Sequence, residues 1–204
     1  MSKIILDSLD VSSPFKLRDL LCSKLSKIIK EKRHIIFLCI GTDRSTGDSL
    51  GPLVGHKLKF LHREGVSILG TLEDPVHAKN LQSTLDEIHS TYNNPYIIAI
   101  DACLGSLPHV GKVLIDDKPL FPGSAVNKDL PAVGDLSISG VVNISGNMEF
   151  MVLQNTRLYV VMQLAETISQ GIYHSVLKSV GGKKSSNDFY LDSSISPSLK
   201  VNSH

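Results

Sequence analysis

Cysteine is scarce in this chain of 204 residues, with Cys22, Cys39 and Cys103 scattered through segments that read as helix, strand and strand exit. So sparse and odd a set excludes a disulfide framework and suits a reducing compartment. Excess charge of either sign is also lacking: 21 Lys plus Arg face 20 Asp plus Glu. No global field therefore argues for nucleic acid or an anionic membrane as partner. Long hydrophobic runs are missing too. The apolar stretch in Met1-Ser2-Lys3-Ile4-Ile5-Leu6-Asp7 is too short for a signal peptide, and no later run could span a bilayer. No internal repeat is present. These absences lead to the expectation of a cytoplasmic protein that binds neither nucleic acid nor membrane; they leave its oligomeric state open.

What is present suits one α/β domain, and 204 residues are enough to bury a substantial core. Leu17, Leu20, Leu21, Leu25, Ile28 and Ile29 recur at helical spacing from Pro14 to Lys32, which predicts an amphipathic first helix. The run Ile35 to Ile40 predicts a strand buried on both faces, as in a parallel sheet covered by helices. Leu50, Leu53, Val54, Leu58 and Leu61 predict a second helix, capped by Asp48 or Ser49, with Pro52 in its first turn and Gly65 closing it. A short strand at Val66 to Leu69, a helix from Ala78 to Tyr92 and a strand from Pro95 to Asp101 continue the alternation. Lys112 to Ile115 predicts another strand. A long Gly-, Pro- and Ser-rich stretch then leads to Leu136–Val142, and a last helix is expected from about Arg157 to Lys178. Residues 1–180 are thus read as a single domain, and 181–204, rich in Ser, Lys and Asn, as a flexible tail.

Two carboxylates stand out. Asp48 opens the second helix after a glycine-flanked loop, and Asp101 ends the strand Pro95 to Asp101. If the two strands are neighbours in a parallel sheet, both acids lie at its carboxyl edge, where open α/β sheets place their sites. The first loop has the outline of a phosphate cradle, but it offers Gly47-Asp48-Ser49 where such a cradle needs Gly-Lys-Ser or Gly-Lys-Thr. Asp48 and Asp43 would repel the anion, with only Arg44 to offset them. Two close carboxylates instead share a proton, so one can activate water while the other donates to a carbonyl oxygen.

The structural alternatives are an N-cap for Asp48 and a loop cap for Asp101. A divalent-metal site formed by the pair with His77 or His109 is the chemical rival, although neither histidine has a diagnostic spacing. Cys103 with His109 as base is a weaker option, because Asp101 nearby would raise the thiol pKa. Arg44 is the best candidate for orienting a carboxylate or substrate.

The run Cys39-Ile40-Gly41-Thr42-Asp43-Arg44-Ser45-Thr46-Gly47-Asp48-Ser49-Leu50-Gly51-Pro52, with Ile100-Asp101-Ala102-Cys103 and Phe121-Pro122-Gly123-Ser124-Ala125-Val126, closely resembles the sporulation protein YyaC family of endospore-forming bacteria. The likeness extends from about Phe15 to Lys178. Through that family the chain also looks like the spore germination protease, whose motifs have the form Gly-Asn-x-x-x-Thr-Pro-Asp-Ala-Leu-Gly-Pro, Ile-Asp-Ala and Pro-Gly-Ser-Gly-Val. More distantly it is similar to the hydrogenase-maturation endopeptidases, in which the matching acidic positions and a histidine bind nickel. No histidine here matches that one. The chain also carries Thr46-Gly47 where the germination protease has Thr-Pro.

The resemblance implies a three-layer α/β/α sandwich of the phosphorylase/hydrolase-like type with a mostly parallel sheet. It implies catalytic roles for Asp48 and Asp101, in an aspartate-dependent endopeptidase acting on a protein or peptide substrate in the spore or forespore. Small acid-soluble spore proteins are the expected class. Arg44 and the backbone around Gly123 and Ser124 would bind substrate, and neither cofactor nor metal is expected. The alternatives are a non-catalytic module of the same fold that binds a spore protein or peptide, and a metal-dependent processing peptidase.

Overall fold

Leu17, Leu21, Leu25 and Ile28 recur every three or four residues along the first helix, α1 (Ser13–Lys30), and all four are buried. Pro14 lies in the first turn, where its missing N–H costs nothing, and Lys27 and Lys30 meet the negative end of the helix dipole. The computed structural model describes residues 3–122 and 131–181. Gly123, Ser124 and residues 182–204 of the expected tail lie outside the described residues.

The strand β2 (Ile35–Cys39) is buried along its whole length, and its alternation feeds two separate cores. Ile35, Phe37 and Cys39 pack with α1, α2 (Leu50–Leu58) and α5 (Leu158–Val180). Ile36 and Leu38 turn to the other face and meet Leu81, Leu85 and Ile88 of α3 (Leu81–Thr91). A strand covered on both faces cannot alternate apolar with polar residues, which is why this run is continuous. Each fully buried Leu or Ile contributes about 1.5–3 kcal/mol.

The sheet has six strands in the order β1 (Ile4–Asp7), β5 (Lys112–Asp116), β6 (Leu136–Ile144), β4 (Tyr96–Gly105), β2 and β3 (Val66–Leu69). From β6 to β3 all neighbours are parallel, while β5 runs antiparallel to both β6 and β1. The expected three-layer α/β/α sandwich with a mostly parallel sheet is therefore the architecture observed. Among the described residues no helix is long and apolar enough to cross a membrane.

Several boundaries differ from the expected ones. The N-terminal apolar run forms the edge strand β1, because its backbone pairs with β5 in the register Ile4 to Ile115. Gly65 does not close α2, which ends at Leu58; it takes a φ of 75° before β3, where its carbonyl accepts the Ile35 N–H at 2.8 Å. A short helix, α4 (Glu149–Gln154), precedes α5. The strand expected to stop at Asp101 continues to Gly105, because β6 pairs with β4 well past the point where β2 leaves it.

Candidate functional site

The chain leaves β2 and crosses through α2 on one face to β3, then returns through α3 on the other face to β4. That reversal makes the carboxyl ends of β2 and β4 a topological switch point, where the two connections diverge and leave a crevice. Pairing of β2 with β4 ends at Cys39 opposite Ile100, and the Ile40 N–H donates to the Ile100 carbonyl at 2.7 Å. Asp101 is the next residue.

Beyond Ile40 the loop folds back on itself. The Gly41 N–H donates to the Val76 carbonyl at 2.8 Å, and the Thr42 N–H donates to the Asp48 carbonyl at 3.1 Å. Gly41 has a φ of 141°, and a Cβ there would stand 2.0 Å from the Asp48 carbonyl oxygen, so only glycine permits the fold-back. Asp48 lies in a 3₁₀ turn, Gly47–Ser49, that leads into α2, and the helix cap position falls on Ser49 rather than Asp48. Gly51 then seats α2 against the end of β2, since a Cβ would meet the Ile40 carbonyl oxygen at 2.0 Å.

Asp101 is 6% exposed. Ile100 and Ala102 on either side of it face the core beneath α1, α2 and α5, so its own side chain projects from the opposite face of β4. Its Oδ1 accepts the Ala102 N–H at 2.7 Å. Burial first, and the charge of half-buried Asp48 second, push its carboxyl well above the usual carboxylate range, against the pull of that single N–H. The structure therefore brings the two acids into electrostatic contact and favours a proton on Asp101.

The other sequence candidates separate. Arg44 is exposed on the loop, its N–H donating to Thr42 Oγ1 at 3.3 Å. His77 follows Val76, and its N–H donates to Asn80 Oδ1 at 2.8 Å; its Nδ1 is buried with no hydrogen-bond partner among the described residues. His109 ends an exposed 3₁₀ turn past the end of β4, paired with Ser106 Oγ at 2.9 Å. That turn begins beyond Gly105, about 13 Å along the strand from Asp101. Among the described residues no group of three or more His, Cys, Asp or Glu is placed to hold a metal ion. Burial, and then Asp101, push the Cys103 thiol up to about 11, the direction opposite to that of an activated nucleophile.

Sequence reasoning missed one polar residue at this level of the sheet. Ser139 of β6 pairs directly with Asp101. Its signal is the alternation Leu136-Ser137-Ile138-Ser139, which puts both hydroxyls on one face, but only the register reveals which of them meets the acid.

An open α/β sandwich with two interacting carboxylates at its switch point is the class that fold and site define. The chain belongs to the family described as "Protein of unknown function (DUF1256)", whose model matches residues 6–171. It is 50% identical over 163 residues to "Uncharacterized protein YyaC" of Bacillus subtilis (strain 168), an alignment covering 80% of this chain and 78% of that protein. Among solved structures it is similar to a [NiFe] hydrogenase maturation protease, HycI from Thermococcus kodakarensis KOD1. That match has a TM-score of 0.48 and 18% identity, covering 75% of this chain and 98% of the other.

Proposed function

We propose that this protein is an aspartate-dependent endopeptidase of the germination-protease type that cleaves a protein of the spore or forespore. The observation that carries the reading is the electrostatic setting of Asp101: a buried carboxyl whose proton affinity is raised well above the usual carboxylate range beside a second carboxylate. Such a pair supplies an acid and a base to one reaction at one pH.

In the proposed reaction Asp48 takes a proton from water as the water oxygen attacks the scissile carbonyl carbon, and Asp101 gives its proton to the carbonyl oxygen. Collapse of the resulting diol breaks the C–N bond. The leaving nitrogen takes the proton from Asp48, and Asp101 recovers one from the diol. Both carboxyls end as they began. Backbone N–H groups around Gly123 and Ser124, together with Arg44, are proposed to bind the substrate chain.

The test is incubation of wild type, Asp48→Asn and Asp101→Asn with small acid-soluble spore proteins over a range of pH, with products read by mass. Each substitution is expected to slow cleavage on the order of a thousandfold. Undiminished cleavage by both variants would remove the dyad. One observation favours a second reading, a non-catalytic module that binds a spore protein or peptide: Asp101 Oδ1 already accepts the N–H of the following residue, as a loop-capping carboxylate does. In that case wild type and both variants bind the spore protein equally and none of them cuts it.

A further inference from the structure

Asp101 has a neighbour on the adjacent strand that the two-carboxylate scheme leaves unused. Its Cα pairs with that of Ser139, in a parallel register running unbroken from Ile98 with Leu136 to Cys103 with Val141. Paired residues on neighbouring strands project from the same face of a sheet, with the strands about 5 Å apart.

The face is settled by the flanking residues. Ile138 before Ser139 belongs to the core under α1, α2 and α5. A Cβ on Gly140 after it would press against Leu50 and Leu164 of the same layer. Ser139 therefore points away from that core, as Asp101 does. It is half-buried, and among the described residues its hydroxyl has no protein partner. Ser137, one step lower on the same face, has one: its hydroxyl donates to the Asp116 carbonyl at 3.4 Å. One step higher the pair is Cys103 and Val141. On these two strands the polar groups at the level of the buried acid are thus its own carboxyl and one uncommitted hydroxyl.

Resting on the two-carboxylate reading, we infer that Ser139 is a positioning residue: its hydroxyl holds, beside Asp101 Oδ2 and within reach of Asp48, the water that Asp48 deprotonates as it attacks the substrate. Oδ1 is already engaged by the Ala102 N–H, which directs Oδ2 to other partners. A buried carboxyl offers too few partners to hold a small nucleophile in one orientation, and a hydroxyl across the strand supplies another. Ser139 touches neither the substrate nor the proton transferred to it; it sets where the water stands.

The test has one arm that needs no substrate. A crystal structure of the wild type at high resolution is expected to show a water within hydrogen-bond distance of Ser139 Oγ and of the Asp101 carboxyl, and the same site in Ser139→Ala is expected to be vacant or disordered. In cleavage of small acid-soluble spore proteins, Ser139→Ala is expected to lower kcat roughly tenfold with KM little changed, and Ser139→Thr, which keeps the hydroxyl, to restore it. Absence of the bridging water from the wild type, or its persistence in Ser139→Ala, overturns the inference. So does a kcat loss that threonine fails to rescue. If the water is found but none of the proteins is cut, it is the protease reading that fails, and the assignment of Ser139 to the water stands on the crystallographic arm.

Discussion

Asp48 raises the proton affinity of Asp101 across the gap between the ends of β2 and β4. One acid comes from the loop before α2 and the other from the strand after α3, so their approach depends on both crossovers being in place. Burial makes the larger contribution to the shift and Asp48 the next, and each can be changed separately.

The first expectation concerns stability against pH. An unfolded Asp ionises near 3.9, whereas folded Asp101 keeps its proton to a well higher pH. Between those values the folded chain holds a proton that the unfolded chain has shed, so the contribution of Asp101 to stability falls as pH rises and is lost above the folded value. Asp101→Asn cannot ionise and escapes that loss. Its melting temperature should match wild type near pH 4 and exceed it by about 3 °C or more at pH 8. A gap that is constant across that range would contradict the buried, protonated acid.

Asp48→Asn should bring the titration of Asp101 down while leaving it above the ordinary carboxylate range, because burial persists when the neighbouring charge is removed. Carboxyl ¹³C shifts of aspartate-labelled protein measure this directly. An unmoved titration would mean that the two acids do not interact.

Gly41→Ala should be among the most damaging small substitutions in the chain. It puts a Cβ 2.0 Å from the Asp48 carbonyl oxygen at a φ of 141°, and a cost of at least about 2 kcal/mol is expected in urea unfolding. Gly146→Ala is the control: nothing lies within 4 Å of its Cβ, and the change should stay within about 0.5 kcal/mol.

Cys103 should alkylate slowly at pH 8, since a thiol pushed up to about 11 is ionised there to roughly one part in a thousand. Its rate should climb as pH approaches 11. Asp101→Asn should speed the reaction by removing the second cause of the shift, while Cys103→Ser should leave the proposed peptide cleavage unchanged.

Much of the fold was legible because its signals are local. The strand Val66–Leu69 falls where its composition predicts, and β2 ends within one residue of the expected Ile40. Leu17, Leu21, Leu25 and Ile28 mark the buried face of α1 before any partner is known. Asp101 shows where such reading stops. Its charge after Ile97-Ile98-Ala99-Ile100 suggested the end of a strand, yet β4 continues to Gly105 because β6 remains beside it. Strand length here depends on a partner 38 residues further on, since Ser139 lies opposite Asp101.

Periodicity, turn chemistry and the unsuitable charge of Asp48 for phosphate were determined by the sequence itself, because each depends on neighbours a few residues away. The order of the strands, the switch between β2 and β4, the burial that raises the proton affinity of Asp101 and the place of Ser139 were decided by the tertiary structure. Burial and electrostatic coupling depend on distance through space, and the two carboxylates become a pair only when α2 and α3 pass on opposite faces of the sheet and bring the ends of their strands together.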